Sequence, residues 1–222
     1  MKLITTTFGL LIIFTFSACQ DSVIEEKANI PDIEVVENST NLLNDFDPIN
    51  QYGNVNAIVE IPSGTIEKWE LNKSNGKIER DSIDRKPRTI RYLGYPGNYG
   101  MIPKTILSKE KGGDGDPLDI LVLGSPVKKG SRLECKIIGV LYLLDRGEKD
   151  DKLIAVSTDS PLFEVNEMSE LDSNYNGISE IIELWFSNYK GPNKMESRGY
   201  GDKNEATKIL QSAIEEYKNS NP

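Results

Sequence analysis

The sequence contains no histidine and only two cysteines among its 222 residues. The first absence excludes His-based triads, His-ligated zinc and imidazole acid–base chemistry. The second excludes a disulfide framework and a cysteine-rich metal site. No apolar run reaches the roughly 18 residues that a membrane-spanning helix needs. Basic residues are the minority: 26 Lys and Arg face 35 Asp and Glu, for a formal net charge of −9. Such a field does not attract nucleic acid, and no nucleic-acid partner is expected. It also repels polyanionic substrates unless bound cations reverse its sign locally. Catalysis has to rest on carboxylates, Lys, Arg, Tyr, Ser or Thr. A Walker-type phosphate loop is also missing, which argues against a P-loop nucleotidase.

The chain length suits one domain with additions. At the N-terminus, Lys2 precedes a short apolar run, Leu3 to Phe16, broken by Thr5-Thr6-Thr7. Ser17-Ala18-Cys19 follows with the small residues of a cleavage site. This run is too short to span a bilayer comfortably, so residues 1–18 are expected to be a signal peptide. A cysteine directly after the small pair resembles a bacterial lipoprotein signal. Cys19 would then be lipidated, and the exported protein would be anchored in a membrane of the bacterial cell envelope. A plain signal peptide with an incidental cysteine is the alternative. With Cys19 acylated, Cys135 is left without a partner and reads as a buried small hydrophobe. The polar, acidic stretch 19–51 reads as a tether, and the folded domain is expected over 52–222.

Strand signals come first along the domain. Val55, Ala57, Val59 and Ile61 alternate, and Ile66 to Leu71 precedes a Ser74-Asn75-Gly76 hairpin signal. Thr89–Leu93, Asp119–Leu123, Arg132–Leu144 and Leu153–Ser157 complete the set. Helix signals come last: one helix capped by Ser179 and ended by Gly191-Pro192, and a second from about Asn204 to Lys218. Strands followed by helices predict an α+β domain on a small barrel or antiparallel sheet.

Gly112-Gly113-Asp114-Gly115-Asp116-Pro117-Leu118-Asp119 is the most informative stretch. Three like charges within six residues repel one another, and hard divalent cations remove that conflict. Oxygen-only ligands favour Mg²⁺, Mn²⁺ or Ca²⁺. A solvated acidic turn is the competing reading. An EF-hand is excluded, because the spacing is wrong, Pro117 stands within the loop and no glutamate lies at the twelfth position. An aspartyl-phosphate motif is excluded because Lys111-Gly112-Gly113, rather than an apolar strand, precedes it. A second acidic group, Asp145 to Lys152, lies between strand candidates and reads equally as a charged hairpin. Lys68 and Glu70 share one strand face, as an exposed salt bridge would. Arg88 to Gly100 interleaves arginines with tyrosines, which also suits a packed aromatic corner.

Together these segments resemble the soluble inorganic pyrophosphatases, over roughly Asn56 to Lys190. The resemblance rests on ordered blocks: Val59-Glu60-Ile61-Pro62, Lys68-Trp69-Glu70, Tyr95-Pro-Gly-Asn-Tyr99-Gly, Asp114-Gly-Asp116-Pro-Leu-Asp119, Asp145 to Lys152, and Asn188-Tyr189-Lys190. It implies a five-stranded oligonucleotide-binding-type (OB) β-barrel with flanking C-terminal helices, and Mg²⁺-dependent hydrolysis of pyrophosphate, with Mn²⁺ or another divalent ion as a substitute. Asp114, Asp119 and Asp150 would hold two metals, and Asp145 would join Asp150 on a further one. Glu60 would act through metal-bound water, with Glu70 in the surrounding shell. Asp116 would take the proton of the attacking water. Lys68, Arg88, Tyr99, Lys152, Tyr189 and Lys190 would bind the phosphoryl groups, and Tyr95 would line the site. Arg85 and Arg91 lie close enough to compete with Arg88 for the arginine role. A homo-oligomer is implied as well. Two other functions fit less of the chain: a non-catalytic binding lipoprotein on a barrel scaffold, and an enzyme acting on nucleotides or longer polyphosphates.

Overall fold

The computed structural model describes residues 40–221. Cys19, the expected signal segment and the tether up to residue 39 lie outside the described residues. In chain order the strands are β1 (Val55–Ile61), β2 (Trp69–Asn72), β3 (Lys77–Arg80), β4 (Ser82–Ile83), β5 (Lys86–Pro87), β6 (Asn98–Met101), β7 (Asp119–Leu123), β8 (Arg132–Asp145), β9 (Glu148–Lys149) and β10 (Lys152–Ser157). Helices α1 (Met168–Asn174) and α2 (Ile178–Asn188) follow, then β11 (Met195–Gly201) and α3 (Lys203–Ser220).

Five strands close on themselves in the order β1-β6-β7-β10-β8, because β1 also pairs with β8. The ring is antiparallel except for β7 and β10, which run parallel. It is the expected five-stranded barrel, and closure removes the open edges an acidic sheet would otherwise expose. Beyond the ring, the second half of the 14-residue β8 carries β11 and β9.

Strand β7 shows how the core is divided. Leu121 and Leu123 pack with residues of α1 and α2, while Ile120 and Val122 pack with Ala206, Leu210 and Ala213 of α3. Period-two alternation sends neighbours to opposite faces, and both faces here are covered. The same holds for β1, which is buried at every position rather than on one face. Its register slips between Val59 and Ile61, so Val59 joins one cluster and Ile61 the other. That irregularity lies at Glu60.

Several expectations are corrected. Thr89–Leu93 is not a strand: Thr89 makes an isolated bridge to Glu67, and then Arg91, Tyr92 and Leu93 turn out to solvent without a pairing partner. Ser179 does not cap α2. Gly177 does, because the reversal from α1 needs its left-handed backbone (φ 95°), and the Ser179 hydroxyl ties back to Asp172 at 2.5 Å. Helix α1 and strand β11 were not anticipated. Residues 40–51, assigned to the tether, fold onto the domain. Leu42 is buried with Ile58 and Met101, beside Phe46, Leu71 and Ile78. Its N–H donates to Gly76 O at 2.9 Å, which braces the β2–β3 hairpin. Among the described residues no helix is long and apolar enough to cross a membrane.

Candidate active site

The parallel strands β7 and β10 start side by side, and β8 ends nearby. Asp119 opens β7, Lys152 opens β10 and Asp145 closes β8. The register pairs Leu153 with Ile120, which sets Lys152 beside Asp119. Glu60 comes from β1, Lys68 from the residue just before β2, Glu70 from β2 and Tyr99 from β6. The Gly-Asp loop supplies Asp114 and Asp116, and the two residues that follow α2 are Tyr189 and Lys190. These side chains, with Arg88 and Asp150, line one cavity of about 410 Å³.

The glycines shape the loop. Gly113 packs so closely over Leu107 that an added Cβ would lie 2.5 Å from its carbonyl oxygen, and Gly115 has φ 85°. Gly115 N–H and Leu107 N–H each bond across this turn, to Leu107 O and Asp116 O. The Asp116 N–H donates to Asp114 Oδ1 at 2.9 Å.

Lysines neutralise much of the carboxylate charge. Lys152 is 2% exposed, and its ammonium contacts the Asp119 carboxylate and lies 2.5 Å from Asp150 Oδ1. Burial works against that charge, but Asp119 and Asp150 outweigh it and hold the ammonium above its usual range. Burial likewise pushes Asp150 up, and Lys152 with Lys190 overcomes this and holds it below the usual carboxylate range. Lys190 Nζ is 2.8 Å from Asp145 Oδ2. Burial raises Asp114, helped by the charges of Asp116 and Asp119. Glu60, 6% exposed, is pushed up to about 8, chiefly by burial, although Leu71 N–H donates to its Oε1 at 2.7 Å.

An aromatic wall backs the side of the cavity lined by Tyr99 and Tyr189. Trp185 stacks on Tyr189 (centroids 4.6 Å, 13° between planes) and meets Tyr95 at 4.4 Å. Tyr95 in turn meets Tyr99 at 5.1 Å. Tyr95 therefore supports the lining rather than forming it. Burial holds both the Tyr95 and the Tyr99 phenol well above the usual value, so both keep their protons.

The structure separates the arginines. Arg88 lines the cavity, its guanidinium 2.9 Å from Asp81, whereas Arg85 and Arg91 are exposed and do not line it. Sequence reading missed three contributors. Asp81 holds Arg88, Trp185 stacks on Tyr189, and Lys73 reaches Asp116 and donates to Gly115 O at 3.1 Å. For Trp185 the helical spacing to Tyr189 carried a signal. For Lys73, a lone lysine in a turn, none existed.

Oxygen-only donors suit a hard divalent cation. Asp145 Oδ1 is buried with no hydrogen-bond partner, although Oδ2 of the same carboxylate is paired. An orphaned buried oxygen of this kind fits a cation ligand. Among the described residues no three acidic groups converge tightly enough to enclose an ion as they stand, and the amines of Lys152 and Lys190 sit between them.

Comparison with known proteins addresses the same residues. A family model described as inorganic pyrophosphatase matches residues 57–218. The inorganic pyrophosphatase of Campylobacter jejuni is 34% identical over 178 residues, covering 74% of this chain and 92% of the relative. The Helicobacter pylori inorganic pyrophosphatase structure superposes with a TM-score of 0.66 at 29% identity, covering 78% of this chain and 99% of that one. The type I inorganic pyrophosphatase of Toxoplasma gondii gives a TM-score of 0.75 at 26% identity, covering 80% and 87%. The matched span contains the whole carboxylate and lysine constellation, and the chain belongs to the inorganic pyrophosphatase family, enzymes that hydrolyse pyrophosphate to phosphate.

Proposed function

We propose that this chain hydrolyses pyrophosphate with Mg²⁺ as its cation, and that it does so from a lipid anchor at Cys19. The carrying observation is that one cavity gathers the expected ligand and phosphate-binding side chains, Tyr95 standing behind it. Asp114, Asp119, Asp150 and Asp145 would hold the cations, with Glu60 and Glu70 at the margin. When bound, such cations lower the pKa of an attacking water from about 15.7 toward 7 and neutralise phosphoryl charge.

The chain's own groups do the rest. Asp116 accepts the proton of the attacking water, because its carboxylate is turned into the cavity and is not needed as a ligand. Lys68, Arg88, Tyr99, Lys152, Tyr189 and Lys190 donate to the two phosphoryl groups and stabilise the departing phosphate. Tyr99 suits donation because burial keeps its phenol protonated.

The test uses residues 20–222. Phosphate release from pyrophosphate should require Mg²⁺ and stop in chelator, with Mn²⁺ as a weaker substitute. Asp116→Asn should lower kcat about 100- to 10,000-fold while Mg²⁺ affinity is retained. Absence of Mg²⁺-dependent release would sink the assignment. The anchor is supported by the Ser17-Ala18-Cys19 junction after the apolar run. Fatty-acid labelling of the full chain, lost in Cys19→Ser, tests it. Sedimentation of the soluble form tests the expected homo-oligomer.

A further inference from the structure

We propose that Lys73 is a positioning residue for Asp116, setting the direction of the carboxylate that takes the proton from water. The inference rests on the assignment of Asp116 as proton acceptor. Lys73 is the first residue of the four-residue loop between β2 and β3, since Asn72 pairs with Lys77. That loop is built rather than loose. Ser74 N–H and Oγ donate to Asn72 Oδ1 at 2.9 and 2.6 Å, and Gly76 N–H donates to Asn72 O at 2.8 Å. From this frame the Lys73 ammonium reaches across to the Gly-Asp loop, where it meets both the Gly115 carbonyl and the Asp116 carboxylate.

Two contacts on adjacent groups define a direction, where one contact would not. Asp116 has about half of its side-chain surface exposed, and among the described residues the Lys73 ammonium is the side-chain donor recorded on its carboxylate. Its main chain is fixed by the bonds to Asp114 and Leu107, which leaves the side-chain torsion as the free variable. A base misplaced by about 1 Å can lose two orders of magnitude in rate.

Lys73 also differs from the other site lysines. Lys152 and Lys190 pair with Asp119, Asp150 and Asp145, the proposed cation ligands. Lys73 pairs with the one carboxylate of the loop that is not a proposed ligand. Loading the ligands with cations therefore leaves its contact in place.

The experiment is steady-state kinetics on residues 20–222 with saturating Mg²⁺, using Lys73→Met, Lys73→Arg, Asp116→Asn and the Lys73→Met/Asp116→Asn double variant. Lys73→Met should lower kcat roughly 10- to 100-fold, with KM changed less than about twofold and the thermal midpoint and Mg²⁺ affinity unchanged. Lys73→Arg should restore most of the rate. In the Asp116→Asn background, Lys73→Met should have no further effect. A raised KM at constant kcat would make Lys73 a substrate contact and overturn the proposal. So would an unchanged kcat, or an equal loss in the Asp116→Asn background. Wild-type kcat in Asp116→Asn alone would instead overturn the base assignment, so the two failures are distinguishable.

Discussion

Lys152→Met tests the idea that the site holds its carboxylates in check with internal ammonium groups. The lysine is 2% exposed and pairs with Asp119 and Asp150, whose side chains are 29% and 20% exposed. Methionine keeps the bulk and removes the charge. Removing one partner of a buried pair costs about 3–5 kcal/mol, because the other charge stays buried and uncompensated. Lys190 still reaches Asp150 at 3.5 Å, and Asp119 keeps some water, so the low end of about 3 kcal/mol applies. For a domain of this size that lowers Tm by roughly 6–12 °C in chelator. Divalent cation should recover most of it, because it replaces the missing charge, and about 2.7 kcal/mol is available at 100 times Kd. The Mg²⁺-induced rise in Tm should therefore be larger in the variant than in the parent. The pH response has a sign too. The depressed Asp150 stabilises the parent above the usual carboxylate range, and this is lost as pH falls through its folded value. With Lys152 gone that contribution weakens, and mild acid should harm the metal-free variant less. Differential scanning fluorimetry with chelator and with Mg²⁺ decides. An unchanged Tm in chelator would refute the reasoning, and so would a deficit that Mg²⁺ leaves intact.

Glu60, pushed up to about 8 mainly by burial, favours the fold only while protonated. Its contribution is complete below about pH 4.5, the ordinary value, and is lost as pH rises through 8. Metal-free protein should lose Tm between pH 5 and 9, and Glu60→Gln should flatten that decline; a parallel decline in the variant would count against it. Trp185→Ala should destabilise by about 3–5 kcal/mol. Because Tyr189 loses its stacking partner, KM for pyrophosphate should also rise, and a Tm loss with unchanged KM would show that the wall does not position Tyr189. Isothermal titration with pyrophosphate in chelator should give no binding up to millimolar concentration, while micromolar binding would show that the site needs no cation to accept its substrate.

The barrel was legible where a strand is an unbroken apolar run, as Ile120–Leu123 and Leu153–Val156 are, or where apolar residues alternate, as in the first half of β8. Asp119–Leu123 was placed at its observed limits, and β8 and β10 each within one residue. What escaped depends on partners distant in sequence. Strand β11 is polar at Glu196 and Arg198, and is a strand because the second half of β8 offers it a ladder. Helix α1 buries only Met168 and Leu171, too few for a helical period to register. Leu42 looked incidental in an acidic stretch, and its surface comes from Ile58 of β1 and Met101 of β6 together with Leu71 and Ile78 of the β2–β3 hairpin. In the site, motif order located the carboxylates, but the choice among Arg85, Arg88 and Arg91 required the turn between β4 and β5. Lys73 required the hairpin itself.

A charge argument joins these points. The cavity holds seven carboxylates, those of Glu60, Glu70, Asp114, Asp116, Asp119, Asp145 and Asp150. Against them stand five cations, Lys68, Lys73, Arg88, Lys152 and Lys190, leaving a formal balance of −2 when all are charged. A polyanion is repelled by that balance, and by the −9 of the whole chain. On the proposed reading, two divalent cations bring the cavity to +2. Asp119, Asp150 and Asp145, engaged as ligands, would give up Lys152 and Lys190, whose ammonium groups would then be free to pair with phosphoryl oxygens. Cation and substrate affinity are then coupled, each raising the other by the same factor. On that reading Lys152 and Lys190 would serve both states, stabilising the folded site without cation and binding substrate with it. A site of carboxylates alone would do neither.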